Sequence, residues 1–132
     1  MKVFIADDSS IVCERLSSML SDLPGLEVIG CAASAIDAAC RIRELKPDAV
    51  ILDIRMPEGS GSGIDVLSTI KKQQGPPLVI ILTNYPYPQY RERCERLGAD
   101  FFFDKSADFE KLFEVFEDLI EQCNADSGEQ SA

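Results

Sequence analysis

Short uninterrupted apolar runs alternate along this chain with longer segments whose apolar residues recur every three or four positions. Val3 to Ala6 has no polar alternation, as expected of a strand covered on both faces. After Asp7-Asp8-Ser9-Ser10, the helical spacing of Val12, Leu16, Met19, Leu20 and Leu23 predicts a helix, which Pro24-Gly25 closes. Leu26 to Cys31 reads as a second strand. Ala35 to Leu45 reads as a second helix carrying Ile36, Ala39, Cys40 and Ile42 toward one side, and Pro47 forbids its continuation. Ala49 to Leu52 is a third strand ending at Asp53, and Ile64 to Lys72 is a helix after the loop Met56 to Gly63. Leu78 to Leu82 is a fourth strand ending at Thr83. Tyr87, Tyr90, Cys94 and Leu97 mark a short fourth helix, with Pro88 in its first turn and Gly98 just past its end. Phe101 to Phe103 is a fifth strand. Phe109, Leu112, Phe113, Phe116, Leu119, Ile120 and Cys123 form the stripe of a fifth helix, leaving 124–132 as a polar tail expected to be disordered.

Five strands alternating with five helices imply right-handed crossovers and an α/β domain, a doubly wound parallel sheet clad on both sides. The length of 132 residues suits one such domain, placed at residues 1–123. Ligands of open α/β sheets gather outside the carboxyl ends of the strands, where Asp7, Asp8, Asp53, Thr83 and Lys105 stand.

Charge and composition narrow the function. A formal net charge of −10 lacks the footprint that grips phosphodiester backbones or anionic lipid, so direct nucleic-acid binding is not expected. No apolar stretch approaches the ~20 residues of a membrane span, and the first apolar run ends at two aspartates rather than as a signal peptide, so a cytoplasmic location is expected. Five scattered cysteines without a CxxC pair, and no histidine, argue against a zinc site and read as small apolar residues, most of them on buried faces.

Three carboxylates on one sheet edge repel one another unless a hard cation or shared proton offsets them. Oxygen-only ligands suit Mg²⁺. A lysine and a hydroxyl beside them would complete a phosphoryl site with a carboxylate nucleophile. Taken singly, Asp8 or Ser9 reads equally as a helix N-cap, Asp53 as a solvated strand end, Lys105 as a surface lysine and Thr83 as an ordinary strand residue. Their conjunction at four of five strand ends points to a site.

The blocks FIADDSS, VILDIRMP, ILTN and GADFFFDK resemble, in order and spacing, those of response-regulator receiver domains over residues 2 to about 122. The resemblance implies a flavodoxin-like strand order 2-1-3-4-5. It implies Asp53 as the phosphorylated aspartate, with Asp8, Asp53 and the Arg55 backbone carbonyl as direct ligands of Mg²⁺ or Mn²⁺ and Asp7 reaching the metal through water. Thr83 matches the switch hydroxyl, Lys105 the phosphoryl contact and Phe102 the switch aromatic. Expected partners are a histidine kinase or phosphotransfer protein and an effector met on the face of helix 4, strand 5 and helix 5, with Tyr85, Tyr87, Tyr90 and Phe102 as candidate contacts. Because the chain ends about ten residues after helix 5, a single-domain regulator without turnover activity is expected. A degenerate receiver that binds partners without phosphorylation is the alternative.

A flavodoxin-like carrier is disfavoured because Asp7-Asp8 would repel flavin phosphate, and an aspartate-nucleophile phosphatase because it would show a D-x-D pair. Two departures stand out. Ser106 replaces the proline that usually follows the lysine, for which a trans Lys105-Ser106 bond is expected. The segment Glu58 to Gly63 is about two residues longer than usual and reads as a flexible loop.

Overall fold

The computed structural model describes residues 1–56 and 62–131, with side chains described through residue 122. Its elements are β1 (Lys2–Ala6), α1 (Ser10–Ser21), β2 (Glu27–Ala32), α2 (Ala35–Leu45), β3 (Ala49–Leu52), α3 (Gly63–Lys71), β4 (Leu78–Thr83), α4 (Pro88–Arg96), β5 (Phe101–Asp104) and α5 (Phe109–Ser131). The five strands form one parallel sheet in the order β2-β1-β3-β4-β5, the flavodoxin-like order expected.

The apolar runs owe their lack of alternation to burial on both sides. Val3, Ile5, Ala49, Ile51, Ile80 and Leu82 face α1 and α5, where they pack with Leu16, Leu20, Leu112, Phe116 and Ile120. Phe4, Ala6, Val50, Leu52, Val79 and Ile81 turn to the opposite layer, against Ala38, Ile42, Val66, Leu67, Ile70 and Cys94. Phe4 and Phe116 are fully buried on opposite faces, each burial worth roughly 1.5–3 kcal/mol. Helix starts are set by local polar chemistry. The Ser9 hydroxyl accepts from the Val12 amide at 3.3 Å, Ser34 accepts from Asp37 at 3.2 Å, and Ser62 with Asp65 forms a reciprocal capping box.

Observed ends fall within a residue or so of the expected ones, with three corrections. Helix α2 buries Ala35, Ala38 and Ile42, whereas Ile36 is 61% exposed and Cys40 is also exposed. Two helical stripes overlap in this segment, and the one with two alanines lets the helix lie close to the sheet. Helix α5 is longer than expected: its backbone stays helical to Ser131 where a polar tail was placed, since no proline interrupts it and extending a formed helix is easier than nucleating one. Of the cysteines, Cys13 and Cys94 are buried, but Cys31 is half-buried and Cys40 exposed. The Met56 to Gly63 loop reading falls largely outside the described residues, which resume at Ser62. Among the described residues no helix is long and apolar enough to cross a membrane.

Candidate functional site

Parallel strands carry the side chains after β1, β3, β4 and β5 to the same edge. The Asp7 amide donates to Ala32 on β2 at 3.0 Å and the Asp53 amide to Ala6 at 2.9 Å, so the ladder itself sets both aspartates side by side. The Lys105 amide donates to the Thr83 carbonyl at 2.8 Å, which holds the end of β5 against the end of β4.

Carboxylate oxygens of Asp7, Asp8 and Asp53 all lie within 4.8 Å of one another. Asp7 and Asp53 are buried and Asp8 is exposed. The Lys105 ammonium bridges the two buried ones, 2.7 Å from Asp7 Oδ2 and 3.0 Å from Asp53 Oδ2. Three carboxylates against one ammonium leave two negative charges uncompensated. Asp53 Oδ1 is buried without a hydrogen-bond partner, whereas Asp7 Oδ1 accepts from the Ser9 amide at 2.9 Å. An all-oxygen donor set, an excess charge of minus two and an orphaned carboxylate oxygen fit a hard divalent cation.

The electrostatics follow from burial. Burial, reinforced by the charge of Asp53, pushes the Asp7 carboxyl above its ordinary value, against the hydrogen bonds from Lys105 and Ser9 that favour its ionised form. For Lys105 burial alone would lower the pKa, but hydrogen bonds and attraction from Asp7 and Asp53 outweigh it and raise it.

Thr83 is fully buried, and its hydroxyl oxygen accepts from the Tyr85 amide at 3.1 Å; it shares the edge with the carboxylates. Phe102 is turned inward and buried, with the Arg91 guanidinium 5.0 Å from its ring centre. The Arg55 side chain lies over the Tyr85 ring at 4.0 Å. Tyr85, Tyr87 and Tyr90 continue as a tilted series with centroids 6.3 and 5.7 Å apart. All peptide bonds are trans among the described residues, the Lys105-Ser106 bond included, and Ser106 donates through its amide and hydroxyl to Asp104 at 2.9 and 2.7 Å.

Two contributors escape a reading by residue type. Gly63 opens α3 with its amide donating to the Ile54 carbonyl at 2.8 Å, and a Cβ there would overlap the Asp53 carbonyl group. The Arg55 stacking on Tyr85 joins two loops distant in sequence. The only signal for either was the glycine-rich composition before α3 and an arginine two residues after Asp53. A cavity of about 710 Å³ lies at the opposite, amino-terminal edge of the sheet, lined by Arg43, Lys46, Asp48, Lys72 and Pro77, and is remote from the carboxylates. A smaller one of about 290 Å³ adjoins them, lined by Asp7, Asp8, Ser10, Cys13, Glu14 and Cys31.

Fold and acidic edge together define a phosphorylation-dependent signalling module, and comparison with known proteins agrees. Residues 3–117 match the family of response regulator receiver domains, and the chain belongs to that family. It is 33% identical over 122 residues to a response regulatory protein of Vibrio cholerae, a match covering 92% of this chain and 49% of that protein. The response regulator domain of Thermotoga maritima CheB superposes with a TM-score of 0.78 at 27% identity, covering 92% of this chain and 94% of that one. A Borrelia burgdorferi structure described as a CheX-CheY-BeF3-Mg+2 complex aligns with a TM-score of 0.75 at 27% identity, covering 88% of this chain and 89% of that one. The chain thus spans about half the length of the Vibrio relative.

Proposed function

We propose that this domain accepts a phosphoryl group on Asp53 from a phosphohistidine of a kinase or phosphotransfer protein and thereby switches its affinity for a protein partner. The observation that carries the reading is the pairing of a buried, partly unpartnered Asp53 with a lysine bridge to Asp7 and a third carboxylate on Asp8. In the transfer, an Asp53 carboxylate oxygen forms the new bond to phosphorus as the bond from phosphorus to the donor imidazole nitrogen breaks. Asp8, Asp53 and the Arg55 carbonyl would hold Mg²⁺ or Mn²⁺ directly and Asp7 through water, and the bound ion would offset negative charge on carboxylate and phosphoryl oxygens.

Lys105 already points at Asp53, so a short shift puts its ammonium on a phosphoryl oxygen. Thr83 accepts the Tyr85 amide through its oxygen and keeps its own proton for donation to the same group. Turning toward that group moves the Thr83 to Tyr85 backbone, and Phe102 beside it on β5 follows. The exposed Tyr87, with Tyr85, Tyr90 and the α4, β5 and α5 face, is the surface on which a partner reads the change. The protein then works in the cytosol as an acceptor switch rather than a turnover enzyme.

The test is incubation with acetyl phosphate and Mg²⁺ followed by intact mass. Wild type gains one phosphate; Asp53→Asn gains none. A phosphate on Asp53→Asn would remove Asp53 from the proposed role. Tyr90→Ala should weaken partner binding or its dependence on phosphorylation, and unchanged values of both would remove the tyrosine face.

A further inference from the structure

The larger cavity, about 710 Å³ at the amino-terminal edge of the sheet, has a charge opposite to that of the chain. The protein carries −10, yet the charged residues lining this cavity are Arg43, Lys46 and Lys72 against the single carboxylate of Asp48, a local excess of two positive charges. That carboxylate is already engaged, accepting the Lys2 amide at 2.7 Å. Neighbouring Lys71 shows the alternative fate of a cation at a helix end, since its ammonium donates to the Pro77 carbonyl and to Asp100, both at 2.9 Å. Arg43, Lys46 and Lys72 enter no ion pair among the described residues and stay exposed around the cavity.

Two further observations point to a ligand. Gln73, half-buried in the cavity lining, has its Nε2 enclosed without a hydrogen-bond acceptor, and a buried donor of this kind is stabilised by an acceptor brought to it. Lys46 has a φ of 49°, the only positive value outside glycine among the described residues. That backbone favours glycine, so a lysine side chain is held beside the cavity against local conformational preference. Pro76 and Pro77 add apolar surface next to the amides of Gln73 and Gln74, and the volume falls within the roughly 300–1,000 Å³ of small-molecule pockets.

We propose that this cavity binds a nucleoside monophosphate, its phosphate held by Arg43, Lys46 and Lys72 and its base set against the prolines within reach of the Gln73 and Gln74 amides. A phosphate monoester carries nearly two negative charges at neutral pH, which matches the local excess of two positive ones. Inorganic phosphate would satisfy the cations but leave most of the volume empty and the Gln73 amide without an acceptor. A base supplies ring nitrogens or carbonyls for that amide and a flat apolar face for the prolines. Asp48 and Asp53 bracket β3, so about 16 Å of strand separates this site from the acidic edge, and an occupant here does not compete with chemistry there.

The experiment titrates the isotope-labelled chain by NMR with AMP, GMP, CMP and UMP, with inorganic phosphate and adenosine as the partial ligands. EDTA is present throughout, so that no metal bridges a phosphate to the acidic edge. The expected result is saturable movement of the amide signals of Lys46 and of Gln73 to Gly75, with at least one nucleotide acting at a several-fold lower concentration than phosphate or adenosine. Lys72→Glu and Lys46→Gly should each weaken that nucleotide several-fold. Because glycine suits the backbone at position 46, Lys46→Gly should be at least as stable to urea as wild type, which separates lost binding from lost fold. Gln73→Leu should weaken the nucleotide more than it weakens inorganic phosphate. The proposal is overturned by the absence of saturable movement with all four nucleotides, by phosphate or adenosine acting at the same concentration as the nucleotide, or by movement confined to the acidic edge. Asp53→Asn should bind the nucleotide as wild type does, so failure of the phosphoacceptor reading would leave this site standing.

Discussion

The first residue of α3, Gly63, rests directly on the main chain of Asp53, with no room for a side chain between them. The contact is enforced by the Gly63 amide bond to Ile54, one residue past the aspartate. Gly63→Ala must therefore push α3 away from β3 or distort the turn that carries Asp53. A loss of about 2–4 kcal/mol in urea denaturation is expected, with acetyl phosphate labelling reduced more than in a surface control such as Glu110→Ala. Wild-type stability in Gly63→Ala would show that the turn yields without cost.

Lys105 balances Asp7 and Asp53, so its removal should leave two buried carboxylates facing each other. Lys105→Met is expected to lose about 3 kcal/mol without metal and to recover part of that in millimolar Mg²⁺. Asp53→Asn should be more stable than wild type in metal-free buffer, because it relieves the same repulsion. Paired chemical denaturation curves with EDTA or Mg²⁺ check both signs, and Lys105→Met matching wild type under EDTA would contradict them.

The raised Asp7 carboxyl sets a pH dependence. Its folded pKa lies above its unfolded value, so the folded state holds the proton more tightly. The stability associated with protonated Asp7 is fully present below the unfolded pKa and is lost as pH rises through the folded pKa. Metal binding needs the ionised form, so Mg²⁺ should protect little at about pH 4 and progressively more toward pH 7. Thermal melts with and without Mg²⁺ across that range check this. An Mg²⁺-induced shift independent of pH would mean that Asp7 does not compete between proton and ion.

Thiol chemistry should separate the cysteines by location. Burial holds the Cys94 thiol up to about 11, and Cys13 is pushed to about 12, so both stay protonated and shielded near neutral pH. Among the described cysteines Cys40 should alkylate fastest in the native protein, with Cys13 and Cys94 reacting on the timescale of unfolding. Peptide mapping after a short iodoacetamide pulse checks the order, and early labelling of Cys94 would contradict its burial on the core-facing side of α4.

Most of the architecture was readable because β1, β3 and β4 are buried on both faces and therefore lack polar interruptions. The acidic edge was readable for a related reason: in a parallel sheet every strand ends at the same side, so order alone gathers Asp7, Asp8, Asp53, Thr83 and Lys105. Helix α2 was misread because Ile36 looks more apolar than Ala35 and Ala38, yet the close approach of helix to sheet selects the smaller residues. The Lys105 bridge to Asp7 and the fit of Gly63 on Asp53 depend on side-chain reach and backbone proximity across the fold, which residue type does not encode. The exposed apolar Ile36 and the inward Phe102 show the same limit from opposite sides: hydrophobicity marks candidates, and packing chooses among them.

The contact of the Arg55 guanidinium with the Tyr85 ring gives the loop after β3 and the loop after β4 a common strut. Load placed on one is borne by the other, so a protein that clasps the neighbouring Tyr87 also braces the main chain just beyond Asp53. Substitutions at these two positions should combine non-additively, since cutting the strut at either end already frees both loops.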